Sequence, residues 1–265
     1  MKNSFSTEFV FQVFSLIISI IIVHAIYVGV IRPNAAAIIE EQRILIEEDP
    51  DYVPERSGFV IVKDLEQEAC FILMLWAMSI MGYKAYYANL ERGLLGRDLV
   101  SVADGVRILP EDGRQYARQL QALPDGEQQL LLPRALLSAL QRFGATRNVQ
   151  DVSSSTHTLV SSEADRLESE LSMIRYIAWA IPSIGFIGTV RGIGAALGLA
   201  HRAVEGDISG VTQSLGVAFN STFIALVISI VLMFLVHQLQ LLQEKTVFDT
   251  ESYIDQQLIR HMQSN

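Results

Sequence analysis

The chain has 265 residues, half of them hydrophobic and 18% charged, with a formal net charge of −9. The acidic balance argues against nucleic acid as a partner, because contacts to phosphates need basic side chains. The single cysteine, Cys70, excludes a disulfide framework within the chain and leaves no set of thiolates to hold a metal.

About 20 consecutive apolar residues are enough to cross the hydrocarbon core of a bilayer. Four stretches qualify: Phe9–Ile31, Ala69–Ala88, Ile177–Leu199 and Leu215–Leu239. The first follows Lys2 and could be a signal peptide, but it is too long for a signal core and contains His24. An uncleaved span is the better reading. The loop 32–68 holds ten acids against Arg32, Arg43, Arg56 and Lys63. The segment 89–173 carries nine arginines, Arg92 to Arg166. Basic residues favour the cytoplasmic side. Both termini are therefore expected inside, 32–68 outside, 89–173 inside, and a short outer turn over Ala200–Ser214.

Segment 89–173 reads as helical. Pro110 and Pro133 suit first-turn positions and Gly144 a helix end. Further on, Val160, Ala164, Leu167, Leu171 and Ile174 recur at spacings of 4 and 3, the seam of a helix packed on other helices. No strong breaker precedes Ile177, so this helix is expected to run into the third span. Leu239, Leu242, Ile254, Leu258 and Ile259 carry a similar pattern beyond the fourth span. The expected fold is an all-α integral membrane protein with four transmembrane helices and cytoplasmic helical extensions of the third and fourth spans. Its parts are residues 1–88 (two spans and the acidic loop), 89–173 (cytoplasmic helices), 174–239 (a two-span hairpin) and 240–265 (a cytoplasmic C-terminal helix). No phosphate loop, metal-ligand spacing or nucleophile elbow occurs, so neither a catalytic residue nor a metal site is expected.

The third and fourth spans are unusual. Stepping from Thr189 by helical spacings, one face carries Pro182, Gly185, Thr189, Gly192 and Ala196. From Thr222 the corresponding face carries Leu215, Ala218, Thr222, Ala225 and Ser229. Small residues let helices approach closely, and Gly188/Gly192 and Gly194/Gly198 form GxxxG pairs. Such stripes serve either close packing or a lane along which another helix or an ion passes. A hydroxyl both donates and accepts, so it can relay a proton. Ion transport through lipid usually needs a carboxylate, and neither span contains Asp or Glu. A titrating group for such a path must then come from another chain. Arg191 lies about 200° round the helix from Thr189 and points away from that lane. It is expected to snorkel outward or pair with the outer turn at Glu205 or Asp207, or else to act as an outer-face charge that repels cations. His24 is expected to be a buried neutral imidazole with a hydrogen bond, and Lys84 to snorkel inward.

Ile181–Gly194, with its pattern P-x-x-G-x-x-G-T-V-x-G-I, resembles the signature of the MotA/TolQ/ExbB proton-channel family. Leu215–Leu226, LGVAFNSTFIAL, resembles that family's second signature. Four spans match the MotA plan, whereas Gly188-Thr189-Val190 is closer to ExbB and TolQ, which have tryptophan at the position of Arg191. The resemblance implies a homo-oligomeric ring, typically a pentamer, in the bacterial inner membrane. It also implies two copies of a single-span partner of the MotB/TolR/ExbD kind, whose membrane aspartate passes Thr189 and Thr222. The transported ion would be H⁺, with Na⁺ open, and no cofactor is implied. The alternative is a non-conducting membrane scaffold whose stripes serve packing only.

Overall fold

The structure, a computed structural model, describes residues 2–49, 52, 55–100, 102 and 106–263, with side chains from residue 8 onward. Asp51, one of the loop's acids, and the side chain of Lys2 lie outside the described residues. Every regular element among the described residues is helical, apart from one isolated bridge between Ile108 and Met262. The chain separates into two units, Met1–Met81 with Met173–Val236 and Gly82–Ser172 with His237–Asn265.

The first unit opens with α1 (Lys2–Ile26), which passes through a π-helical turn, Tyr27–Ile31, into α2 (Arg32–Glu48). Much of the expected outer loop is thus helix. Pro33 accounts for the wide turn. Its ring lacks an N–H and crowds the carbonyl four residues back, and the backbone opens by one residue rather than breaking. The short α3 (Gly58–Val62) precedes α4 (Leu65–Leu95). The unit is completed by α9 (Ser172–Gly198), α10 (Ala200–Val204) and the first part of α11 (Ser209–Gln257). Phe14, Ile21, Val190, Leu197, Phe219, Phe223 and Ile230 are exposed on this unit. A surface that apolar suits lipid rather than water. The link between α9 and α11 is shorter than the expected Ala200–Ser214 turn. Gly206 adopts φ +98°, and the Asp207 carboxylate accepts from the Ser209 hydroxyl (2.6 Å) and backbone N–H (3.2 Å). These bonds start α11 at Ser209 and hold the Asp207 carboxyl below its ordinary range.

The second unit packs α5 (Gly113–Gln121), α6 (Asp125–Gln128), α7 (Leu131–Thr146) and α8 (Val149–Glu170) with the later parts of α4 and α11. Leu132, Leu136, Leu140, Phe143, Val152 and Ile254 form its core. Pro133 lies in the first turn of α7 as expected, but Pro110 lies in the turn before α5 and Gly144 lies within α7. The helix ends instead at Arg147, in the left-handed conformation (φ 54°) with its N–H on the Phe143 carbonyl at 2.9 Å. The reason is the next residue: Asn148 caps α8 at once, its Oδ1 accepting from the N–H of Gln150 (2.9 Å) and Asp151 (3.3 Å). The seam is real, with Val160 buried and Ala164 and Leu167 packed against the cluster that includes Leu131 and Val247. Leu171 interrupts the expected continuous helix for a single residue, whereas α11 runs unbroken for 49 residues. Lys84 does not snorkel. Its side chain is 4% exposed and donates to Glu170 at 2.8 Å, since a buried ammonium needs a partner more than it needs solvent.

Candidate functional site

The small-residue stripes of α9 and α11 face one another. A Cβ added at Gly185 would lie 2.6 Å from the Ala225 Cβ, and one at Gly192 would lie 2.7 Å from both the Ala218 Cβ and its backbone nitrogen. The two helices therefore touch backbone to backbone, which only glycine permits. Gly185, Gly192, Ala196, Ala218 and Ala225 are buried, while Pro182 and Ser229 are half-buried.

Pro182 and Ser229 are linked by a backbone argument that the sequence reading did not make. Proline has no N–H, so within α9 the Ala178 carbonyl loses its usual donor four residues on. The Ser229 hydroxyl on α11 donates to that carbonyl at 3.0 Å. A polar group inside an apolar span is thereby satisfied.

Thr189 and Thr222 lie half-buried beside the glycine contact, with their hydroxyls bonded to each other. Thr189 is also within 3.2 Å of both the Gly185 and the Ala218 carbonyls, and Thr222 within 3.1 Å of the Gly185 carbonyl. Two hydroxyl hydrogens thus serve several acceptors inside the seam, and each oxygen keeps lone pairs for an approaching donor or cation.

Helical phase gives the seam two flanks. Four residues on from Gly185, Thr189 is turned about 40° one way, and three residues on, Gly188 is turned about 60° the other. On the Gly188 flank lies the first turn of α4. A Cβ at Gly188 would be 2.5 Å from the Ser221 Cβ and 3.1 Å from the Glu66 Cγ. Arg191 donates to Glu66 at 2.6 Å. This corrects the expected pairing with Glu205 or Asp207, which belong to the link beyond α9. Gln67, wholly buried, has its Nε2 3.4 Å from the Ser221 Oγ and 3.2 Å from the Ile61 carbonyl. Glu68, 6% exposed, accepts from Arg32 at 2.5 Å and is bonded to His24 at 2.7 Å. His24 is hydrogen-bonded as expected, but its side chain is 59% exposed rather than buried.

Sequence reasoning missed Glu66, Gln67 and Glu68 by counting the two acids as loop charge. The available signal was three polar residues immediately before an apolar span, with an unmatched arginine in another span.

Four helices, Glu8–Glu48, Leu65–Leu95, Val149–Gly198 and Ser209–His261, are long and apolar enough to cross a membrane, so the chain is a multi-pass helical membrane protein. Residues 127–252, just under half of the chain, match the model of the MotA/TolQ/ExbB proton channel family, so that segment is similar to members of this family. Proteins of this family are channel- and transport-associated and form complexes with partners of the MotB/TolR/ExbD kind. No curated protein and no solved structure matches the chain.

Proposed function

We propose that the chain is the ring-forming subunit of a proton-driven motor complex in the bacterial inner membrane. In this reading five copies surround two copies of a single-span partner. Thr189 and Thr222 face that partner's membrane aspartate, and both termini are cytoplasmic.

The observation that carries the reading is the hydroxyl pair. One hydroxyl donates to the other, and the remaining hydrogen is directed at a backbone carbonyl, so the pair meets an arriving group with lone pairs. A protonated carboxylic acid is a donor suited to such a pair. Once the acid loses its proton, either hydroxyl can turn to donate to the carboxylate, so both charge states are accommodated. Neither span supplies an acid of its own, which calls for one from the partner. Sodium could use the same oxygens, and replacing H⁺ by Na⁺ gradients in transport assays separates the two ions.

Thr189→Val and Thr222→Val keep the shape and remove the hydroxyl. Ion-driven function is expected to disappear while assembly persists, because one membrane hydrogen bond contributes only about 0.6 kcal/mol on average. Full function in both variants would remove the pair from the ion path. A non-conducting scaffold is the second reading, favoured by the burial of Gly185, Gly192, Ala218 and Ala225 within the chain's own seam. It predicts full function in the two valine variants.

A further inference from the structure

A seam of glycine and alanine brings α9 and α11 close but is smooth. At Gly185 and Gly192 the contact is made by Cβ and backbone atoms alone, which offer little to lock the helices there against sliding or rolling. A pair of threonines that must present both oxygens together needs its alignment set by something else. The first turn of α4 is placed to do this. Consecutive helical residues point about 100° apart, and here three in succession reach different helices. Glu66 holds α9 through Arg191, two residues from Thr189. Gln67 reaches α11 at Ser221, the neighbour of Thr222. Glu68 is tied to α1 through His24 and to α2 through Arg32. Glu66 is also seated against Gly188, the neighbour of Thr189.

We propose that Glu66 and Gln67 are positioning residues that set the alignment of the Thr189–Thr222 pair from behind the seam, with Glu68 fixing the α4 turn to α1. The proposal rests on the ion-path reading of the pair. It assigns Arg191 to a latch rather than to the repulsion of cations, because its guanidinium is already committed to Glu66.

The test uses the full-length chain in membranes with Cys70→Ser, so that introduced thiols are the only ones. One thiol pair is Thr189→Cys with Thr222→Cys. The reference pair is Ala178→Cys with Ser229→Cys, elsewhere along the same seam. The measurement is the rate of disulfide formation on mild oxidation. Glu66→Gln or Gln67→Leu is expected to slow closure of the 189/222 pair and leave the 178/229 pair unchanged. The reciprocal exchange of Glu66→Arg with Arg191→Glu is expected to restore the rate. An unchanged 189/222 rate, or an equal loss at both pairs, overturns the proposal. Amide hydrogen exchange of chains that retain Thr189 and Thr222 provides a readout that needs no thiols. Glu66→Gln should speed exchange over 185–192 and 218–225 but not over 176–181, and uniform exchange would again overturn the proposal. If the threonine-to-valine variants lose function while alignment ignores α4, the latch fails and the ion-path reading stands. If alignment depends on α4 but those variants keep function, the ion-path reading fails and the latch stands.

Discussion

Gly185→Ala gives a direct test of the α9–α11 contact. The added Cβ would lie 2.6 Å from the Ala225 Cβ, against an optimum of about 3.5–4.0 Å between carbons, so the helices must part by about 1 Å. Overpacking of this kind costs about 1–3 kcal/mol. The other two contacts, the Ser221 carbonyl oxygen and the Thr222 Cα, both lie at 3.2 Å and need only a few tenths of an ångström of relief. Ala225→Gly alone should cost about 1 kcal/mol through lost helix propensity. Added to Gly185→Ala it removes the main clash, so the double variant should be about as stable as Ala225→Gly. Gly192→Ala is different. Its clashes include the Ala218 nitrogen at 2.7 Å and the Ser214 carbonyl oxygen at 2.8 Å, which Ala218→Gly leaves in place. That double variant should stay destabilised. Thermal stability in detergent, followed by the surviving monodisperse fraction after heating, reads both cycles. Equal rescue in the two cycles, or none in the first, would refute the atom-level contact on which the site description rests.

Ser229→Ala should destabilise by about 1 kcal/mol by orphaning the Ala178 carbonyl. In a Pro182→Ala background, where residue 182 regains its N–H, it should cost almost nothing; the same thermal assay measures this cycle. Lys84→Met should cost about 1.5–3 kcal/mol through loss of one charge-assisted hydrogen bond, with Glu170 keeping Arg166 at 3.6 Å. Arg142→Met, which removes an exposed pair with Asp151, should show no measurable loss by the same method. Asn148→Ala should cost about 1 kcal/mol by uncapping α8, and Asn148→Asp should be tolerated, as read by denaturant titration of the helical signal. Gly194→Ala, which meets nothing within 4 Å, should leave stability unchanged or slightly raised.

Much of this architecture could be read from the sequence because the signals are local. A run of about 20 apolar residues spans a bilayer wherever it occurs. A period of 3.6 sorts Gly185, Thr189 and Gly192 onto one face whatever they pack against. The seam through Val160, Ala164 and Leu167 was legible for the same reason. Local rules also misled where neighbours decided the outcome. Gly144 has the composition of a helix end, but the Asn148 cap places the end at Arg147. The first apolar stretch ends at Ile31, but a π turn carries the helix past that point and past Pro33.

The sequence by itself determined the all-helical class, the four apolar stretches long enough to span and the two hydroxyl-bearing stripes, because each depends only on residues a turn or two apart. Only the tertiary structure decided which groups meet across the chain. Glu66 and Arg191 are 125 residues apart, Gln67 and Ser221 are 154 apart, and Ala178 and Ser229 are 51 apart. No periodicity encodes such pairs. Burying a charge or an unpaired carbonyl in an apolar span demands a partner, and only the packing of the helices determines which residue supplies it.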